Sequence, residues 1–147
     1  KNQYAGVARN LGLRYAKGKY VIFWDSDDFF EKDALELLYK KAEEDQADIC
    51  ICGARKYNQE TGMVYPAGEY LVKKRIPARM PFDKDDMGKY LFNFCSNVPW
   101  NKLFLRRFVQ EHELEFQPLR QANDVYFTMM ALFLAKRMTV VPEELIC

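Results

Sequence analysis

With 147 residues, 49% of them hydrophobic and 15% aromatic, the chain is long enough to bury one core and too apolar to be disordered. Twenty-two Lys and Arg against 21 Asp and Glu leave a formal net charge of +1, which argues against a general nucleic-acid or membrane-surface binder held by charge. Cys50, Cys52, Cys95 and Cys147 lack the dense spacing of a secreted disulfide scaffold, and with His112 the single histidine, small buried hydrophobes in a reducing cytosol are a better reading than a zinc site. No signal peptide opens the chain. The longest apolar stretch, Val125 to Ala135, is too short to span a bilayer, so no transmembrane segment is expected in it. The chain lacks an initiator Met and stops within an apolar run, as a stretch cut at both ends would.

Val7, Leu11 and Tyr15 recur at intervals of four, so residues 4 to 17 read as an amphipathic helix that Gly18 stops. Tyr20 to Trp24 is a short run of aromatic and β-branched residues, expected as a buried parallel strand. A second helix is predicted from about Glu31 to Gln46 with Ala34, Leu37, Leu38 and Ala42 inward, and a strand from Asp48 to Ala54, where Cys50 and Cys52 share a face. This helix–strand alternation predicts an α/β fold with a mixed, mainly parallel sheet flanked by helices. Gln59-Glu60-Thr61-Gly62 is a turn between Arg55-Lys56-Tyr57 and Met63-Val64-Tyr65, giving a small hairpin. Pro66, Pro77 and Pro81 punctuate a loop-rich stretch, in which Lys73-Lys74-Arg75 reads more readily as solvated surface than as a phosphate site. Asp83 caps a predicted helix from Lys84 to Phe94. Strand or turn follows at Pro99 to Phe104, then a short helix through Arg107 to His112. A nearly all-apolar, hence buried, helix is predicted from Asn123-Asp124 to about Lys136, and a last strand at Thr139 to Val141.

Two acidic loci stand out. Asp25-Ser26-Asp27-Asp28 crowds three carboxylates just past a strand end, where ligands of open α/β sheets sit, and their mutual repulsion calls for a hard divalent cation with oxygen ligands. Asp124 opens a helix, where an acid is ordinarily a cap. Arg9 either approaches a bound ligand or forms a structural ion pair, and Trp100 is either a core residue or a ring-stacking platform. Gly6, Gly12 and Gly18 fit close packing and helix termination, not a phosphate cradle.

Asn2, Gly6, Ala8-Arg9-Asn10, Gly12-Leu13, Ala16, Gly18, Tyr20, Phe23 and Asp25-Ser26-Asp27-Asp28 resemble the segment of family 2 glycosyltransferases that leads into their metal-binding D-x-D motif. Trp100-Asn101-Lys102-Leu103-Phe104, Asn123-Asp124-Val125-Tyr126-Phe127 and Val140-Val141-Pro142-Glu143-Glu144-Leu145 resemble bacterial members that build surface polysaccharides. The resemblance implies a partial A-type glycosyltransferase domain over residues 1–147. Residues 1–54 are the rest of a nucleotide-sugar and metal-binding part, 55–147 an acceptor-side part, and the strands carrying the base-recognition pocket are absent. By the same resemblance Asp25 and Asp27 bind a metal ion, magnesium or manganese, Asp25, Ser26, Asp27 and Arg9 bind the nucleotide sugar, Asp124 is the catalytic base, and Trp100, Asn101 and Lys102 meet the acceptor. The family usually has Glu where this chain has Asn123.

The activity so implied is inverting transfer from a nucleotide-diphosphate sugar, a UDP-sugar by preference, to a hydroxyl of a glycan or lipid-linked acceptor. The setting is the cytoplasm or the inner face of the cell membrane, in polysaccharide or lipopolysaccharide synthesis. This stretch by itself is expected to bind donor weakly and not to turn over. Two rivals stay open: a nucleotidyltransferase, for which no Gly- and Arg/Lys-rich phosphate loop is visible, and a non-catalytic carbohydrate-binding or scaffold relative.

Overall fold

The small and β-branched residues Ile49-Cys50-Ile51-Cys52-Gly53-Ala54 form the centre of the molecule. The computed structural model describes residues 4–147, and in it this run belongs to a nine-residue strand, β2, Ile49–Tyr57, buried for its first six positions. The other strands are β1, Tyr20–Val21; β3, Val64–Pro66; β4, Lys102–Leu105; and β5, Met138–Ile146. The helices are α1, Tyr4–Tyr15; α2, Ala34–Glu44; α3, Lys84–Met87; α4, Arg106–Glu111; and α5, Val125–Leu134. β4 lies between β1 and β2 and is antiparallel to both, β5 pairs with the other edge of β2 in parallel, and β3 folds back on Arg55–Tyr57 as the predicted hairpin.

The mixed α/β sheet flanked by helices is therefore present, but predominantly parallel pairing is not. β1, β2 and β5 share one direction, yet β4 inserts reversed between the first two, so β2–β5 is the one parallel ladder among the described residues. Hydrophobic periodicity reports that a strand is buried and is silent on its direction.

Side-chain alternation along β2 divides the interior into two layers. Ile49 and Ile51 face a cluster with Phe104, Phe108, Phe127, Ala131 and Met138, covered by α4 and α5. Cys50, Cys52 and Ala54 face Ala34, Leu38 and Ala42 of α2 with Leu103 and Leu145. The two cysteines share a face as expected, and both are free and buried. Residues 20–24 alternate in the same way, Val21 and Phe23 toward the first cluster and Tyr20, Ile22 and Trp24 toward the second, although only Tyr20–Val21 pair with β4.

Two helices depart from expectation. α1 leaves Leu11 and Tyr15 53% and 77% exposed, and its packed face carries Gly6 and Leu13 instead of the apolar stripe. α3 ends at Met87 because Gly88 adopts φ +49°, after which a 3-10 turn carries the chain to Tyr90; Met87, Leu91 and Phe94 are nevertheless buried. Asp83 caps α3 as predicted, accepting from the amides of Asp85 and Asp86.

Burial pushes the Cys52 thiol up to about 12 from its ordinary 9.0. The folded chain thus keeps a proton that the unfolded chain loses, so this contribution to stability is complete below pH 9 and fades as pH rises toward 12. Urea unfolding at pH 8 and at pH 10.5 should show a larger alkaline loss in the parent than in Cys52→Ala, by up to about 1.4 kcal/mol per pH unit above the unfolded value. Equal losses in the two proteins would contradict it.

Candidate active site

Past β1 the chain enters the acidic turn, which is held at both ends. Trp24 and Phe30 stack at 3.8 Å with an interplanar angle of 21°, closing the turn, and the Asp28 amide donates to the Asp25 carbonyl at 3.4 Å. The end of β5 then seals the exit: Phe29 and Cys147 exchange backbone hydrogen bonds of 2.7 and 2.8 Å, and the Glu31 amide donates to Leu145 O at 3.0 Å.

The turn concentrates negative charge. The Asp28 carboxyl lies above its ordinary value, first because it is partly desolvated and then because Asp25 and Asp27 are close. Among the described residues no group of three or more His, Cys, Asp or Glu is arranged to hold a metal ion. The donor set nevertheless fits magnesium or manganese shared with a ligand, since such ions take one or two carboxylates and complete their shell with phosphate oxygens and water. Asp25 and Asp27 are the pair that would hold it.

Arg9 connects this turn to the second acidic locus. Its guanidinium, 15% exposed, donates through one nitrogen to Asp25 Oδ1 at 2.7 Å and through another to Asn123 Oδ1 at 3.0 Å, with the Phe116 ring centroid 5.5 Å away. The structural ion pair is thus the role seen for Arg9. Asn10 reinforces the junction, exchanging two 2.8 Å hydrogen bonds with the backbone of Phe116, while the Gln117 amide donates to Asn123 O at 3.0 Å. Gly6 permits the approach: a Cβ there would collide with the Gln117 carbonyl oxygen and lie 3.1 Å from Asn123 Cβ. The packed side of α1 is therefore a polar clamp, Gly6-x-x-Arg9-Asn10, that fastens the 116–123 loop to the acidic turn. Asn2, also part of the resemblance, lies outside the described residues.

Asp124 follows directly and stands at the N-terminus of α5. Its backbone carbonyl accepts from the Thr128 amide at 3.0 Å, but its side chain accepts no capping hydrogen bond. The partly exposed carboxylate is thus not consumed in capping the helix, and the Arg9 bridge brings its neighbour to the acidic turn.

Of the three residues expected at the acceptor, Asn101 and Lys102 are corrected to structural roles. Both are fully buried. Asn101 donates to the carbonyls of Cys52 and Tyr70 at 2.9 and 3.3 Å, and the Lys102 ammonium donates to Ser96 O, Val98 O and Asn101 Oδ1 at 2.7 to 2.8 Å. Burial pushes the Lys102 ammonium below its ordinary value, opposed by Cys95, Cys52 and Asp124. Among the described residues no carboxylate is salt-bridged to this cation, and its three oxygen acceptors tie the 96–101 loop to β4. Trp100 is only partly buried and lines a cavity of about 290 Å³ shared with Asp27 and Asp28. A wider groove of about 710 Å³ lies on the other side of the turn, along α1 and residues 20–26, with Arg9, Asp25 and Ser26 on its wall.

The strand-end acids and the loop that precedes Asp124 are joined through Arg9, and residues 1–113 match the family model described as Glycosyl transferase family 2. The chain belongs to that family. It is 31% identical over 150 residues to EpsH of Bacillus subtilis, covering 99% of this chain and 41% of EpsH. It is 30% identical to the poly(ribitol-phosphate) beta-glucosyltransferase of Bacillus spizizenii, covering 92% of this chain and 19% of that protein. The crystal structure of S. aureus TarS 1–349 in complex with UDP-GlcNAc shares the fold, with TM-score 0.74 and 22% identity over 97% of this chain and 38% of that one. The chain thus spans about two fifths of EpsH and of TarS 1–349.

Gly6→Ala should break the clamp, costing about 1–3 kcal/mol through forced displacement of the 117–123 backbone. Hydrogen exchange at the Phe116 and Gln117 amides should accelerate with it. Unchanged stability and exchange in Gly6→Ala would show that α1 does not hold this loop.

Proposed function

We propose that the complete protein transfers a sugar from a nucleotide-diphosphate donor to a hydroxyl of a glycan or lipid-linked acceptor, with inversion at the anomeric carbon. The observation that carries this reading is the pairing of the two acidic loci through Arg9: Asp25 and Asn123 share one guanidinium, and the next residue holds an uncapped carboxylate. Asp124 is the base that accepts the proton of the acceptor hydroxyl as its oxygen bonds to the anomeric carbon, while the bond to the diphosphate breaks on the opposite face. A magnesium or manganese ion on Asp25 and Asp27 would supply positive charge to the departing diphosphate. Arg9 fixes the orientation of Asp25 and faces the donor side with Ser26.

Asn123 departs from the family's usual Glu but still offers the oxygen that Arg9 needs, so the junction stays closed with one fewer negative charge. A UDP-sugar is the favoured donor, because the TarS fold match carries UDP-GlcNAc. The names of the relatives favour a cell-surface polymer as product, the poly(ribitol-phosphate) enzyme being one. Donors of this class place the reaction in the cytoplasm or at the inner face of the membrane. No helix among the described residues is long and apolar enough to cross a membrane.

Asp124→Asn in the complete protein, assayed with a panel of UDP-, GDP- and dTDP-sugars, should lower transfer about 10²- to 10⁴-fold while leaving donor affinity unchanged. Transfer at the parental rate would refute Asp124 as the base.

A further inference from the structure

A net charge of +1 hides an uneven distribution. Residues 70–82 hold four basic side chains, Lys73, Lys74, Arg75 and Arg79, and no acid, so the rest of the chain sums to −3. Residues 88–95 fold against this segment: Leu71 bridges Cys95, the Val72 amide donates to Phe94 O at 2.7 Å, and the Arg75 guanidinium donates to Asn93 O. Lys89 joins the cluster in this way, since Arg75 and Lys89 meet one ring, 5.5 and 5.3 Å from the Tyr90 centroid. Among the described residues none of these five cations is in an ion pair, whereas Lys40, Arg55, Lys56 and Arg107 elsewhere on the surface each meet a carboxylate. Of the three acids that follow, Asp83 and Asp86 are engaged in the capping box of α3, which leaves Asp85 to offset one of the five positive charges.

The same surface exposes apolar groups. Phe92 is 50% exposed although Leu91 and Phe94 beside it are buried, and no aromatic ring packs on it among the described residues. Tyr90 is 39% exposed, and Ile76, Pro77 and Met80, set among the cations, are only partly buried. Residues 70–82 contain no Ser, Thr, Asn or Gln, so between the positive charges this segment offers hydrocarbon and not neutral hydrogen-bonding side chains.

We propose that this surface docks on a bilayer of anionic phospholipid, with the cations at the headgroup phosphates and Phe92 entering the boundary of the acyl chains. Lys and Arg are drawn to the negative potential of such a leaflet, and Phe and Tyr beside them lie at the depth where headgroups give way to hydrocarbon. A nucleic acid shares the charge, but its phosphates are gripped by Ser, Thr, Asn and Gln as well as by Lys and Arg, and residues 70–82 have none of the former. The platform is fixed, because the two segments are hydrogen-bonded to each other over the buried Leu71, Leu91 and Phe94. Docking also orients the molecule. Tyr70, packed on Trp100 at the cavity shared with Asp27 and Asp28, precedes Lys73 by three residues, at most about 11 Å of chain, so this end of the protein comes to the lipid surface. The inference concerns binding alone and is independent of the transferase reading.

Cosedimentation of the complete protein with vesicles, either of pure phosphatidylcholine or of equal parts phosphatidylcholine and phosphatidylglycerol, tests it. The parent should bind the mixed vesicles and be released by salt at about 0.5 M. Lys73→Gln/Lys74→Gln/Lys89→Gln should lower partition onto them about 10- to 100-fold, whereas the charge-matched Lys17→Gln/Lys32→Gln/Lys136→Gln, at exposed positions elsewhere, should lower it less than about threefold. Phe92→Ala should weaken binding about 3- to 10-fold with the salt dependence unchanged, and gives a reading of its own should the triple variant fold poorly. Failure of the parent to bind mixed vesicles, equal losses in the two triple variants, or parental binding by both the first triple variant and Phe92→Ala overturns the docking surface. Loss of affinity for a duplex oligonucleotide in the first triple variant, with vesicle binding intact, assigns the surface to nucleic acid and overturns it as well.

Discussion

One arginine holds the two halves of the candidate site in register. Arg9 is planar and permanently charged, so it satisfies Asp25 and Asn123 at once from two nitrogens of a fixed fork, whereas a lysine would have to serve both from a single nitrogen. Its guanidinium is mostly withdrawn from water, and a charge so placed is tolerated only when its donors are met. The partners differ in kind. Asp25 answers the charge, and Asn123 supplies geometry without adding a second carboxylate next to Asp124. The remaining clamp contacts, Asn10 on Phe116 and Gly6 under Gln117, fix the distance over which Arg9 has to reach.

The aromatic core supports the same junction from below. Phe116 stacks on Phe127 at 4.1 Å and 9°, and Phe23 meets both edge-on at 4.8 and 5.5 Å, so the strand leading to the acids, the loop leading to Asp124 and the helix that Asp124 opens share one packed contact. Such ring pairs contribute about 0.5–1.5 kcal/mol each beyond the area they bury. On the opposite side of the sheet, the Trp24–Phe30 stack and the β5 tail close the acidic turn. The carboxylates are therefore carried on a turn with two fixed ends, the kind of support that preorganised charge requires.

Much of this was legible in the residues. The burst of acids after Tyr20–Trp24 located the turn, because burial followed by charge marks a strand end whatever its neighbours do. The two cysteines on one face of β2 and the Asp83 cap were readable for similarly local reasons. The clamp was not, since Arg9 and Asn10 find partners 114 and 106 residues away, and no spacing rule encodes such contacts. Asn101 and Lys102 misled for a related reason. Their place at the acceptor was implied by the resemblance alone, and tertiary structure supplies Ser96, Val98, Cys52 and Tyr70 oxygens that consume them. The direction of β4 likewise depends on where the chain returns, which its four residues do not specify.

The most direct test of the central claim is a double-mutant cycle on unfolding free energy with Arg9→Met and Asn123→Ala. If the guanidinium joins the acidic turn to the loop that precedes Asp124, the two losses should be non-additive by about 0.5–3 kcal/mol. Losses that sum to within about 0.3–0.5 kcal/mol would mean that the two residues act independently, and that Arg9 does not couple Asp25 to the loop carrying Asp124.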